Sequence, residues 1–505
     1  MQGAWANRST GLPGPRRWAA SQQGWAWAAA ILVGIGVGLS VILSTYYVEK
    51  PILVAGVIGL PIYIIVSLRW PELAILALVG ITAGVINKDW MPLLRLGPVS
   101  LHIPDIMLGV LLGIVFVRSM ASPGARIVRS PLSLPLILFM GALLIAVANS
   151  LLVYHIDANQ VLRGIRPLLQ WLIFIPVVQL VRGEQALRRL IAGLWMLTVL
   201  LSMAVIVRDM IPDLHPAILP VTTVTLSTAD AYFAGVTRVY MAGDRLLYVM
   251  VPVTVASLAV HRGGHVRSAL LLIMLGMLSF WLVRSFQRNY WLTITLSCAL
   301  LPAFVIGAER IRLIGRLLPF VLGFVLLVMA QQVIDPGGAA QMQAAVLDRA
   351  ESLLEDLTRT DSSVQWRLIE SQYALQQIAR HPLLGIGVAN PYRPPLEFEA
   401  GMFILDFYAH NAYLWIAVMA GLAGLLPFVW LCMSFIIRAL RMGPRIKDAG
   451  LRAVCVGFGV AFVGVMVSNL VAPNLVQNWS LSIYPLMMGI NEIVYRAEAV
   501  KGHTS

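Results

Sequence analysis

Apolar residues fall along this chain in long, nearly unbroken runs. They do not follow the alternation of a half-buried strand or the single stripe of a surface helix. A helix needs about 20 such residues to cross about 30 Å of hydrocarbon. Fourteen runs approach that length, near 25–46, 51–68, 71–87, 104–118, 131–153, 167–181, 189–208, 245–261, 268–284, 289–307, 313–331, 411–437, 452–471 and 477–495. Those at 71–87, 104–118 and 167–181 are short and also fit tilted or re-entrant segments. The pattern predicts an all-α polytopic membrane protein of about 14 transmembrane helices, 12 at the fewest. Three parts follow: a helix bundle over 1–331, a polar segment over 332–410, and further membrane helices with a short tail over 411–505.

Composition agrees with that pattern. Of 505 residues, 59% are hydrophobic and 12% charged, about half the charge of an ordinary soluble domain. The mean hydropathy is +0.81. The net charge of +13 would point to nucleic acid in a soluble chain; its distribution here points elsewhere. With the amino terminus in the cytoplasm and the runs alternating, the inside segments hold 22 basic and 6 acidic residues, and the outside 15 and 18. The inside is then +16 and the outside −3, the bias expected of cytoplasmic loops. Both termini are therefore expected inside, with lipid around the bundle and no nucleic-acid partner. The first run follows Arg8, Arg16 and Arg17 and is long enough to be an anchor rather than a cleaved leader. Cys298, Cys432 and Cys455 lie within apolar runs, at spacings that imply neither a disulfide framework nor a zinc site.

This orientation leaves Gln332 to Ala409 outside, too long for a passive connection. It reads as two helices. In the first, Met342, Val346, Leu353 and Leu357 share a face. The second begins at Asp361 or Ser362 and carries two apolar stripes, Val364, Leu368, Leu375 and Ile378 on one side and Trp366, Ile369 and Tyr373 on the other. Such a helix is expected to be sandwiched between the membrane surface and the bundle. Pro382, Gly385 and Gly387 end it in a turn.

The outer edges also collect arginines. Arg284 and Arg288 flank "RSFQRNYW", Arg238 and Arg245 lie in "TRVYMAGDRLLYVM", Arg163 and Arg166 in "RGIRPLLQW", and Arg367 on the double-striped helix. Any one of them could snorkel to lipid phosphates. Against the positive-inside bias, the set is better explained by a shared anionic ligand. Of the outside basic residues thirteen are Arg and two Lys, a choice that suits bidentate phosphate binding. His410 and Asn411 sit where the long segment turns into a span, with Asn411 placed to cap it. His410 reads either as an interface residue or as a base. The positive end of the helix favours a neutral imidazole there, and a neutral imidazole facing arginines is what a general base beside an anionic leaving group requires. No Asp-x-Asp, P-loop or HExxH occurs, and "EFE", Glu397 to Glu399, is the nearest approach to a metal site. No metal and no cofactor is expected. The outer face is not supplied with nucleotide sugars, so a donor there must arrive already activated and membrane-borne.

Three stretches, in order, resemble the bacterial O-antigen ligase family, which also embraces polysaccharide polymerases and protein O-oligosaccharyltransferases. "QRNYWLTITL" is similar to its Ser-Arg turn, with Arg288 at the Arg and Gln287 in place of the usual Ser. "WRLIESQYALQQIARHPLLGIGVANPY" resembles its Arg-led helix ending in Pro and Gly-x-Gly, with Arg367 at the Arg. "HNAYLWIAVMAGLAGLLPF" resembles its His-Asn-x-x-Leu segment, with His410 at the His. The resemblance implies a donor glycan on undecaprenyl diphosphate, transferred at the outer face of the bacterial cytoplasmic membrane. The acceptor would be a hydroxyl on lipid A core, on a growing glycan or on a protein. His410 would be the catalytic base, and Arg288, Arg245, Arg238, Arg367 and Arg284 would be the diphosphate ligands. A polymerase of the same family is the alternative. A flippase for lipid-linked sugars would want polar residues at the bilayer midplane rather than at outer edges.

Overall fold

The computed structural model describes residues 51–86, 91, 94–96, 99–121, 128–211, 221–225, 237–241, 243–260, 264–305, 307–318, 362–394, 406–477 and 479–502. The expected span at 25–46, most of that at 313–331, the loop helix around 342–357 and Glu397–Glu399 lie outside them.

The helices are α1 Pro51–Arg69, α2 Pro71–Thr82, α3 Ile103–Ala121, α4 Ser133–Leu152, α5 Ala158–Leu169, α6 Phe174–Leu180, α7 Glu184–Met210, α8 Asp244–Val260, α9 His265–Ser285, α10 Arg288–Leu300, α11 Ser362–Arg380, α12 Ala412–Met442, α13 Ala449–Ser468 and α14 Ile483–Gly502. Among the described residues seven helical segments are long and apolar enough to cross a membrane: Ile103–Ala121, Ser133–Leu152, Ala158–Leu180, Glu184–Met210, His265–Ser285, Ala412–Arg445 and Ala449–Ser468. The short run at 167–181 is the second half of one of these. α5 and α6 are joined by a 3-10 turn, Gln170–Ile173, and Asp157 caps the start by accepting from the Asn159 and Gln160 amides.

Two antiparallel hairpins interrupt the helical pattern. β1 (Leu94–Leu96) pairs with β2 (Val99–Leu101), and β3 (Val221–Thr225) with β4 (Thr237–Met241). The β-branched "VTTVT" is the local signal for the second; the all-helical expectation passed over it.

α13 is the centre of the bundle, packed against α8, α10, α12 and α14. Helices in lipid gain from close approach rather than from hydrophobic burial, so small residues mark the contacts. A Cβ at Gly457 would lie 2.5 Å from the Val253 Cα, and one at Gly464 would lie 2.6 Å from the Thr293 carbonyl oxygen.

The ion pairs gather at two ends. At one, Arg188 bonds Glu184 and Asp448, both at 2.8 Å, Arg189 reaches Glu72 at 2.6 Å, and Arg438 and Arg452 reach Glu492 and Glu309, both at 2.5 Å. At the other, Arg166 meets Asp105 at 2.9 Å, and Arg284 meets Asp209. Each pair joins segments that the charge count places on the same side. Which end faces the cytoplasm rests on that count, and single cysteines test it. A cysteine at Ser362 should react with an impermeant thiol reagent in intact cells, and one at Ser505 should not. The reverse labelling would overturn the orientation.

Candidate functional site

The site is built around the start of α12. Asn411 caps the helix, its side chain accepting from the Tyr413 and Leu414 amides at 3.0 and 3.1 Å. This holds the preceding His410 in a fixed, buried position, 8% exposed. Its nearest charged partner is Glu370 of α11. One carboxylate oxygen accepts from the His410 backbone amide at 2.7 Å and lies 3.1 Å from Nδ1. An ionised carboxylate only accepts, so in a neutral ring Nδ1 is the nitrogen that carries the proton. The other carboxylate oxygen faces the buried Arg393 guanidinium at 3.6 Å. Tyr408 packs edge-on against the imidazole, 4.7 Å between centroids. Its carbonyl accepts from the Tyr392 hydroxyl at 2.9 Å, so the segment carrying Arg393 and the approach to His410 are tied together. The ring is therefore oriented by a buried carboxylate as well as by the helix field that the sequence indicates.

Glu370 is in place because α11 docks on α12 through an interrupted helix. At Gly421 the backbone leaves helical geometry (φ 61°, ψ −162°), a region that essentially only glycine occupies. The break exposes helical carbonyls and amides, which must find partners when buried. The turn after α11 supplies them. The Ile386 and Gly387 amides donate to the Val418 and Met419 carbonyls at 2.8 and 3.0 Å, and the Leu422 and Ala423 amides donate to the Pro382 and Leu383 carbonyls at 2.8 and 3.1 Å. The fit excludes side chains: a Cβ at Gly385 would lie 2.4 Å from the Val418 oxygen, and one at Gly387 2.4 Å from Ser150 Oγ. Ser150 and Gln160 hold the far side of the turn through the Val388 and Ala389 carbonyls.

The docked face of α11 differs from the expected one. Leu368 and Leu375, from one apolar stripe, are each 55% exposed, whereas Glu370 and Ala374 are buried. Arg367 lies one turn before Glu370 on α11 and is partly buried. Residues at that spacing have Cβ atoms about 5–6 Å apart.

α9 ends with Phe286 in left-handed geometry (φ 48°), and Gln287 turns the chain into α10, whose first residue is the partly buried Arg288. The guanidinium thus adds to the positive end of a helix. Gln287 is anchored by its side-chain amide to Asp244 at 3.2 Å, and Trp281 Nε1 reaches the same carboxylate at 2.9 Å. Arg245, next to Asp244, is buried and donates to the Asn474 carbonyl, Asn474 Oδ1 and the Gln477 carbonyl, each at 3.2 Å, and to Ser480 Oγ at 3.4 Å. Asn289, next to Arg288, donates to Ser468 Oγ at 3.3 Å, and Asn474 Nδ2 donates to the same oxygen at 2.7 Å. The Ala412 amide, two residues after His410, donates to the Asn469 carbonyl at 3.0 Å. Arg245, the start of α10 with Arg288, and the start of α12 with His410 therefore meet on one turn, 468–474. Arg284 is directed to Asp209 instead. Arg238 sits on β4 opposite Val224, with its side chain outside the described residues.

Sequence reading missed Glu370, Arg393 and the 468–474 turn. Glu370 had one available signal, its place three residues after Arg367 on the helix quoted for the resemblance. Arg393 and the asparagines had none.

Residues 252–429 match the family model described as O-Antigen ligase. The matched stretch contains Arg288, Arg367, Glu370, Arg393 and His410; Arg245 lies just before it. No curated protein matches the chain.

Proposed function

From the O-antigen ligase domain that the chain carries over residues 252–429, we propose a membrane glycosyltransferase that joins a lipid-linked glycan to an acceptor hydroxyl. The donor is a glycan on undecaprenyl diphosphate, and the reaction takes place at the outer face of the bacterial cytoplasmic membrane. The acceptor is a glycan such as lipid A core. The observation that carries this reading is the buried Glu370–His410 pair, on a helix start that meets the arginine-bearing start of α10 at the 468–474 turn.

In the reaction, the acceptor oxygen attacks the anomeric carbon and passes its proton to His410 Nε2. The bond from that carbon to the diphosphate oxygen breaks, and its electron pair leaves on the diphosphate. Attack opposite the leaving group inverts the anomeric carbon. Glu370 faces the imidazolium that forms and holds its tautomer. Arg288 and Arg367 are assigned to the diphosphate, where fixed positive charge would meet the developing negative charge. Arg245, already bound to residues 474–480, supplies fixed positive charge behind them, and Arg238 and Arg284 complete the outer set. Guanidinium groups do the work that a metal ion would otherwise do on the diphosphate.

Purified protein should transfer glycan from a polyprenyl-diphosphate donor in the presence of EDTA. Loss of turnover in EDTA with recovery in Mg²⁺ would overturn the arginine-clamp account. Within the same assay Arg288→Lys keeps the charge but loses the planar fork. It should weaken donor binding and lower turnover about tenfold or more, as expected when a bidentate contact becomes a point contact. Full activity in that variant would make Arg288 a lipid-facing charge.

A further inference from the structure

The chain between α13 and α14 turns inward after the exposed Leu470 and Val471. Ser468, Asn469, Asn474, Ser480 and Ser482 are all 6% exposed or less, interleaved with the buried Leu475, Val476 and Leu481. Irregular backbone and polar side chains are tolerated at such burial only where the protein satisfies them. Here the partners come from within the segment and from four other elements, through Ala412, Asn289, Trp171 and Arg245. Asn469 accepts the Leu475 amide on Oδ1 at 3.0 Å and the Ala412 amide on its backbone oxygen, also at 3.0 Å. Ser468 Oγ accepts from Asn289 and Asn474. Trp171 Nε1 donates to the Leu475 carbonyl at 3.2 Å. Arg245 places its Nε and NH2 on the carbonyl and side-chain oxygens of Asn474.

That last arrangement is a fork held by a single residue. Two in-plane bonds to one asparagine fix the guanidinium plane, and the Asn474 side chain is itself held through Ser468. The turn thus touches the three elements that bear the site, each at the functional residue or within two residues of it.

We propose that the Ser468–Asn474 turn, through its buried serine and asparagines, is a positioning element of the site, in which Asn474 fixes the Arg245 charge behind the donor diphosphate and Asn469 seats the first turn of the His410 helix. This rests on the outer face being the site of glycan transfer. Coupling follows from the geometry. Displacing the turn moves the donor-side arginine and the start of the His410 helix together, because Arg245 and Ala412, two residues after His410, are both bonded to it.

Asn474→Asp tests the point with little change of shape. It keeps the acceptor oxygen but sets a carboxylate on Arg245, neutralising charge that faces the donor. Asn474→Ala removes the side-chain half of the fork. Asn491→Ala is the control, a fully buried asparagine at the other end of the bundle, bonded to the Cys455 carbonyl and the Tyr495 hydroxyl. The measurements are thermal unfolding in detergent, binding of undecaprenyl diphosphate, and KM and kcat for the lipid-linked donor. Asn474→Asp should weaken binding and raise the donor KM about tenfold, and Asn474→Ala should do so less. Asn491→Ala should lower the melting temperature with binding and KM unchanged. If the Asn474 variants bind the lipid as the wild type does, or lose binding only as far as Asn491→Ala does, the positioning role is overturned while the transferase reading stands. If the wild type itself does not bind undecaprenyl diphosphate, the donor assignment falls, and this inference with it.

Discussion

Replacing His410 with alanine should abolish glycan transfer while donor binding persists. Removing a general base costs about 10²–10⁴ in rate. The imidazole is placed to take the acceptor proton, so the loss belongs in kcat. The fold should survive, because Glu370 keeps two of its partners: the residue 410 backbone amide, which the substitution leaves in place, and Arg393. Asn411 still caps α12. Glu370→Gln is the companion variant. Its amide can still accept from the backbone and from Nδ1, but it no longer faces the imidazolium with a charge, so turnover should fall by a similar order. It also removes the carboxylate opposite the buried Arg393 guanidinium. Breaking a buried pair in this way typically costs about 3–5 kcal/mol, so this variant should also melt earlier, unlike His410→Ala. An active His410→Ala variant at normal expression would make His410 an interface residue and end the catalytic assignment.

A single methyl group at Gly421 should undo the same site from about three turns away. Alanine there must either leave the observed φ of 61° or accept a Cβ 2.3 Å from the Leu383 carbonyl oxygen. The backbone conformation alone costs on the order of 1–3 kcal/mol for a residue with a Cβ, and the colliding atoms are main chain that has no rotamer to change. Straightening the helix would break the four amide bonds that dock the turn after α11 and would withdraw Glu370 from His410. Gly421→Ala should therefore lose both thermal stability and transfer. Gly109→Ala is the contrast: nothing lies within 4 Å of a Cβ there, and α3 should become no less stable. Equal melting temperatures for Gly421→Ala and wild type would show that α11 is held by something other than this dock.

Much of the architecture was legible because it is written locally. A run of apolar residues marks a helix by itself, as at Ser133–Leu152 and Ala449–Ser468. His410 and Arg288 could be singled out because each lies at the edge of such a run, and Arg367 because, like them, it lies in a short recognisable stretch. The Asn411 cap needed only its own helix. Glu370 could not be paired with His410 in the same way. Forty residues separate them, and the choice among the acidic residues of the long segment depends on which face of α11 meets the bundle. In a soluble protein the apolar stripe would have answered that. Here it pointed outward at Leu368 and Leu375. The 468–474 turn is the more extreme case. In sequence it is a short connection between two spans, and nothing local says that it is buried. Only the packing of α8, α10 and α12 around α13 makes its serine and asparagines the common partners of Arg245, Asn289 and Ala412. Burial leaves those polar groups no water, so which bonds they make is decided by tertiary structure alone.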